Sequence, residues 1–145
     1  MKIIIEELPI GEEEQIIVRC RKIRPELMRV LNTLKAQNDM LVAYINSEVY
    51  RIDIADIFYI EAVDNKTFLY CENQIYESKH KLYELEEVLG MSDFLRVSKS
   101  VIVNLNEIKS LLPALSGRLD AVLRNGEKIS ISRQYVSELK KNLGI

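Results

Sequence analysis

The spacing of apolar and polar positions changes several times along the chain, and each change predicts an element. Residues 2–8 (K-I-I-I-E-E-L) and 15–21 (Q-I-I-V-R-C-R) are short β-branched runs. Pro9-Ile10-Gly11 and three consecutive glutamates separate them, which predicts a strand hairpin. From Pro25 the period lengthens. Leu27, Val30, Leu31 and Leu34 fall at helical spacing, and proline suits a first helical turn, so a helix is expected to end near Gln37-Asn38-Asp39.

Residues 40–46 and 48–53 then read as strands paired across Asn46-Ser47, and 56–63 as a third strand. The chain returns over 67–71 after a polar tip, Asp64-Asn65-Lys66, and 74–77 continue the sheet. Leu82, Leu85 and Leu89 place an apolar stripe on a helix over 79–89, with Ser78 as N-cap and Gly90 as stop. A strand over 108–112 ends at Pro113, and Asn125-Gly126 predicts a type I′ turn between strands 119–124 and 127–132. A last helix is expected over 133–142, with Ser132 at its cap and Lys140, Lys141 and Gly144 at its end.

One stretch, 94–108 (F-L-R-V-S-K-S-V-I-V-N-L-N-E-I), breaks its apolar run in the middle. Ser98-Lys99-Ser100 puts hydroxyls, backbone N–H groups and one ammonium into a small space between strand-like residues. Such a loop is either a solvated turn or a site for phosphate oxygens and base edges. Asn104 and Asn106 supply turn chemistry after it.

Composition narrows the choice. With 145 residues and 48% hydrophobic content, the chain can bury a core, and no apolar run is long enough to span a bilayer. The N-terminus has no signal-peptide pattern, so a cytoplasmic protein is expected, and Cys20 and Cys71 read as buried thiols. Net charge is −2, unlike the usual basic footprint of a nucleic-acid binder. Its distribution is uneven: residues 96–133 carry seven basic against three acidic side chains, whereas 44–95 carry four against eleven. A basic side could face DNA with the acidic side turned away. His80 is the only histidine, and no G-x-S-x-G, G-x-G-x-x-G, Walker or zinc-ligand pattern occurs, so neither an enzyme nor a metal site is expected.

The 94–106 stretch, the hairpin after it, and I-S-I-S-R-Q-Y leading into a terminal helix together resemble the LytTR family of bacterial DNA-binding domains. The resemblance covers about seven-tenths of the chain, from Leu41 onward. It implies a mainly β fold with minor α content, an elongated antiparallel multi-sheet domain at 41–145, and the residue pattern adds a strand-strand-helix extension at 1–40. It also implies a sequence-specific transcriptional regulator that reads double-stranded DNA through loops in successive major grooves, with no cofactor. Carried onto this sequence, the contacts fall at Lys66 and Thr67, at Ser98, Lys99 and Ser100, where members typically have His-Arg-Ser or His-Asn-Ser, and at Arg133 with Gln134 beside it.

Lys99 is a point charge suited to phosphate, whereas Arg133 has the planar fork that addresses guanine. The chain is too short for the receiver domain that many members carry. Receiver-less members are often controlled by a partner, in some cases a membrane protein. The extension at 1–40 reads as a packing element or as a surface for a homodimer or partner. Rival readings are a protein-interaction module on the same scaffold and a small-molecule sensor acting through the N-terminal segment.

Overall fold

A computed structural model describes every residue except Met91, and it describes residues 32–38 by their backbone alone. The chain divides into two compact units, Met1–Lys35 and Ala36–Ile145.

In the first unit the expected turn forms: the Glu12 N–H donates to the Pro9 carbonyl at 3.3 Å, and Gly11 takes a φ of 98°. The expected strands at 2–8 and 15–21 do not form, since the described residues of these segments make no backbone ladder. A two-stranded ribbon is marginal in water, and the Glu12–Glu14 charges at its turn weaken it further. Cys20 is exposed rather than buried. Helix α1 (Pro25–Asn38) opens on proline with Glu26 in its first turn, where a carboxylate complements the helix dipole. The predicted stripe is only partly buried: Leu27 is covered but Val30 is 57% exposed, and the side chain of Leu34 lies outside the described residues.

The second unit is built from two antiparallel sheets. The larger contains β1 (Met40–Ile45), β2 (Glu48–Asp53), β3 (Ile57–Val63), β4 (Lys66–Cys71), β5 (Ile75–Ser78), β6 (Phe94–Arg96) and β7 (Val101–Asn104), in the order β2-β1-β5-β4-β3-β7-β6. The smaller contains β8 (Ile108–Pro113), β9 (Leu119–Leu123) and β10 (Lys128–Ile131), with β9 central. Helix α2 (Leu82–Val88) lies between β5 and β6 in sequence, and α3 (Arg133–Leu143) closes the chain. The fold is mainly β and antiparallel, as the residue pattern and the resemblance predicted.

Strand alternation divides the core in two. Ile60 and Ile102, opposite each other on β3 and β7, point into a cluster with Leu82, Leu85 and Leu89. Their neighbours Tyr59, Val101 and Val103 point the other way, into a cluster with Ala121, Leu123, Ile129, Ile131 and Leu139. All four residues of β7 are therefore buried, and it reads as an unbroken V-I-V run instead of an alternating one. The rings of Tyr59 and Tyr70 stack at 4.3 Å. Burial, and then a hydrogen bond to Glu127, push the Tyr59 pKa far above the ordinary tyrosine value.

Three local expectations change. Helix α2 starts at Leu82, because Ser78 still belongs to β5 opposite Thr67 and its hydroxyl accepts the His80 N–H at 3.1 Å. Lys81 takes the cap position, and Glu84 Oε1 accepts the Lys81 N–H at 3.2 Å. At Asn125-Gly126 only the glycine has positive φ, so the turn is not type I′. Leu123 accepts from the Gly126 N–H at 2.9 Å and donates to the Glu127 carbonyl at 2.8 Å, which makes a three-residue loop with Val122 opposite Lys128. The two-residue I′ turn lies instead at Asp64-Asn65, where both φ angles are positive and Val63 pairs with Lys66. Pro113 ends β8, an edge strand, where a missing N–H leaves no ladder bond unmade.

Candidate nucleic-acid interface

Between β6 and β7 the chain reverses over Ser98-Lys99-Ser100, closed by the Val97 N–H donating to the Val101 carbonyl at 3.0 Å. The loop is fixed at several points. Ser98 Oγ accepts the Ser100 N–H at 3.2 Å, and the Ser100 carbonyl accepts the Ala62 N–H at 2.8 Å. The Arg96 guanidinium spans the inside of the turn: Nε donates to the Ser98 carbonyl at 2.7 Å and Nη2 to the Lys99 carbonyl. Its Nη1 meets Glu86 Oε1 on α2 at 3.0 Å. With both carbonyls engaged, the exposed Lys99 ammonium and the hydroxyl groups are what the loop presents outward. Arg96 escaped the sequence reading because its fork addresses main-chain atoms, which leave no mark in residue types.

Helix α3 begins beside this loop. The Ser132 N–H donates to the Val97 carbonyl at 2.9 Å, which pins the helix start to the strand that leads into the loop. Ser132 occupies the cap position as expected, but its side chain makes no cap hydrogen bond. The first-turn N–H groups of α3 therefore have no side-chain cap, and a helix start attracts anions. At the other end, Gly144 in the left-handed region closes α3, with Lys140 and Lys141 in its last turn.

The turn between β8 and β9 completes the arrangement. Ser116 and Gly117 both take positive φ, at 60° and 75°. For serine that conformation is uncommon and mildly costly. At Gly117 the lack of a side chain matters, because a Cβ there would come within 3.2 Å of Arg133 Cδ. The aliphatic stem of Arg133 thus rests against a bare backbone.

Ser98, Lys99, Ser100, Ser116, Arg118, Ser132, Arg133 and Gln134 line one open hollow of about 550 Å³, with three cations and no carboxylate among them. The structure thereby brings together five of the residues singled out from the sequence. Ser116 and Arg118 were missed as site residues, because nothing local marks a turn that reaches the site only through the pairing of β8 with β9. Lys66 lies outside this hollow, on the exposed tip after the Asp64-Asn65 turn. That tip is nearby, since β3 carries both the tip and the Ala62 N–H that holds the loop. Thr67 departs from expectation: it is 5% exposed, in the sheet opposite Ala62 and Ser78, and it is withdrawn from any surface. His80 is a surface residue paired with Glu84 at 3.2 Å. Among the described residues there is no cluster able to hold a metal ion and no helix long and apolar enough to cross a membrane.

Comparison with known proteins identifies the family. The family model for the LytTr DNA-binding domain matches residues 47–144. The chain belongs to the LytTR family. LytTR is a DNA-binding family and not an enzyme family. The chain is 28% identical over 142 residues to the sensory transduction protein LytT of Bacillus anthracis, covering 92% of this chain but only 58% of that protein. It is 30% identical over 138 residues to an uncharacterized HTH-type transcriptional regulator of Staphylococcus aureus, covering 92% of this chain and 91% of the other. Among the described residues the helix-turn-helix in that name has no counterpart, because strands separate α1, α2 and α3 from one another. The solved LytTr DNA-binding domain of a Bacillus cereus protein superposes with a TM-score of 0.69 at 29% identity, over 74% of this chain and 98% of that one.

Proposed function

We propose that this LytTR protein is a sequence-specific transcriptional regulator whose loops enter major grooves of double-stranded DNA. The carboxylate-free hollow with Lys99, Arg118 and Arg133 carries the reading. Lys99 and Arg118 serve phosphates, Arg133 with Gln134 serves base edges at the start of α3, and Lys66 meets the backbone from the neighbouring tip. The side chains of Ser98, Ser100 and Ser116 supply hydroxyls between the cations. The overall charge of −2 does not oppose this, because the acids concentrate outside the hollow. The regulator acts as a homodimer on repeated half-sites.

A salt titration of duplex binding tests the proposal. Affinity should fall steeply with salt, whereas an interaction module without DNA binding would show no salt-dependent duplex affinity. Within that experiment, Lys99→Ala should weaken specific and nonspecific duplexes alike and reduce the salt slope by about one. A loss confined to the specific site with the slope intact would make Lys99 a base reader.

Arg96 is a positioning residue in this scheme. Arg96→Lys keeps the charge but loses the planar fork that bonds the Ser98 and Lys99 carbonyls and Glu86 at once, and losing about 1 kcal/mol of loop order corresponds to roughly a fivefold to tenfold loss of duplex affinity. The salt slope should stay unchanged, because Lys99 is still present. A slope reduced by about one in Arg96→Ala would mean that Arg96 itself neutralises phosphate.

A further inference from the structure

The segment K-I-I-I-E at residues 2–6 reads as its own antiparallel complement. About an axis through Ile4, Lys2 falls opposite Glu6, Ile3 opposite Ile5, and Ile4 opposite itself. We propose that this segment pairs with the same segment of a second copy, as two antiparallel strands related by a two-fold axis at Ile4. The pairing deepens the homodimer reading above by naming its surface, and its test requires no DNA.

Three observations support it. The first is the backbone: the described residues of 1–24 form no ladder, so the segment's N–H and C=O groups have no strand partner among the described residues. β-branched residues with an open edge favour strand addition. The second is apolar exposure: Ile3, Ile4 and Ile5 are 81%, 69% and 88% exposed, as a run of three large side chains. The third is charge. Lys2, Arg19, Arg21, Lys22 and Arg24 line one hollow of about 470 Å³ that contains no carboxylate. Lys2 and Glu6 form no ion pair among the described residues. Two-fold pairing brings Glu6 of the second copy to that cationic end, and does so at both ends of the ribbon.

Alternate residues of the two N-terminal segments, Lys2, Ile4, Glu6 and Leu8 with Gln15, Ile17 and Arg19, already line a common groove. Joining two copies edge to edge therefore sets four segments side by side. That exceeds the two-stranded ribbon that is marginal alone. A different protein with an open strand edge is the competing occupant, but it would need to reproduce the Lys-to-Glu spacing that a second copy supplies by symmetry.

The test is sedimentation equilibrium of the full chain without DNA. The wild type should be a dimer. Lys2→Glu alone and Glu6→Lys alone each place like charges opposite one another at both ends, and each should weaken the dimer about tenfold. The double variant, Lys2→Glu with Glu6→Lys, restores opposite charges across the pair and should be a tighter dimer than either single variant, short of wild type because Arg19, Arg21, Lys22 and Arg24 still lie at that end. Both positions are exposed, so the fold is expected to survive every substitution. A wild type that is monomeric at about 100 μM overturns the proposal, as do single variants with unchanged assembly, or a double variant as weak as the sum of the singles. These outcomes are read from assembly alone, so failure of DNA binding would not imitate them.

Discussion

Replacing Leu139 with alanine should lower the unfolding free energy by about 2–5 kcal/mol, a large fraction of the roughly 5–15 kcal/mol that holds a domain of this size. Leu139 is fully buried and packs in the cluster with Val97, Val103, Ala121, Leu123 and Ile131. It is the only buried residue of α3, which has eleven residues. A helix that short is marginal by itself, so its stability comes from this packing. Truncation removes three buried carbons and leaves a cavity between a helix and two sheets that cannot easily collapse around it. Urea unfolding with an unchanged m-value checks the magnitude. The exposed neighbour Glu138 serves as the control, and Glu138→Ala should stay within about 0.5 kcal/mol. A change below about 1 kcal/mol at Leu139 would mean that α3 is not held by this contact. The same variant connects stability to function, because α3 starts with Arg133 and Gln134, and loosening the helix loosens both.

The parts of the molecule that the residues foretold are those where local chemistry and tertiary context agree. The strands of the larger sheet, the apolar stripe of α2 and the start of α3 follow from periodicity. Ser98-Lys99-Ser100 stood out because it interrupts a β-branched run with donors, and the family resemblance supplied its meaning. The failures have separate causes. Ser78 is a good cap residue by type, but pairing with Thr67 keeps it in β5. Asn125-Gly126 is the sequence of a two-residue turn. Here the loop tip is anchored from outside: the Arg124 N–H donates to the Glu107 carbonyl at 2.9 Å, and Arg124 Nε to the Asn106 carbonyl at 3.3 Å. These bonds favour the longer loop and its register. Lys66 and Thr67 are neighbours in sequence, yet strand alternation puts one on the surface and the other in the core. At residues 2–8 the strand pattern is present but no ladder partner is found among the described residues, and a pattern cannot reveal whether its partner belongs to the same chain.

Replacing Arg133 with alanine should cost about 1–3 kcal/mol of affinity for the specific site and relax base preference at one position. Three features support this proposed role. The Ser132 N–H holds the helix start to the Val97 carbonyl at 2.9 Å. The bare backbone of Gly117 lets the Arg133 stem lie close, with Cδ 3.2 Å from where a Cβ would be. Lys99 and Arg118 surround the same hollow, so phosphates drawn to them would bring a groove edge to Arg133. A pure phosphate role makes a different prediction, and Arg133→Lys separates the two. Lysine keeps the charge and loses the two-pronged fork, so a base reader should lose site preference while keeping most of its nonspecific affinity and its salt slope. A phosphate contact would leave site preference intact in the lysine variant and drop the slope by about one in the alanine variant. Selection of duplexes from a random pool with wild type and both variants gives the answer. An unchanged selected motif together with unchanged affinity in Arg133→Ala would remove Arg133 from the interface altogether.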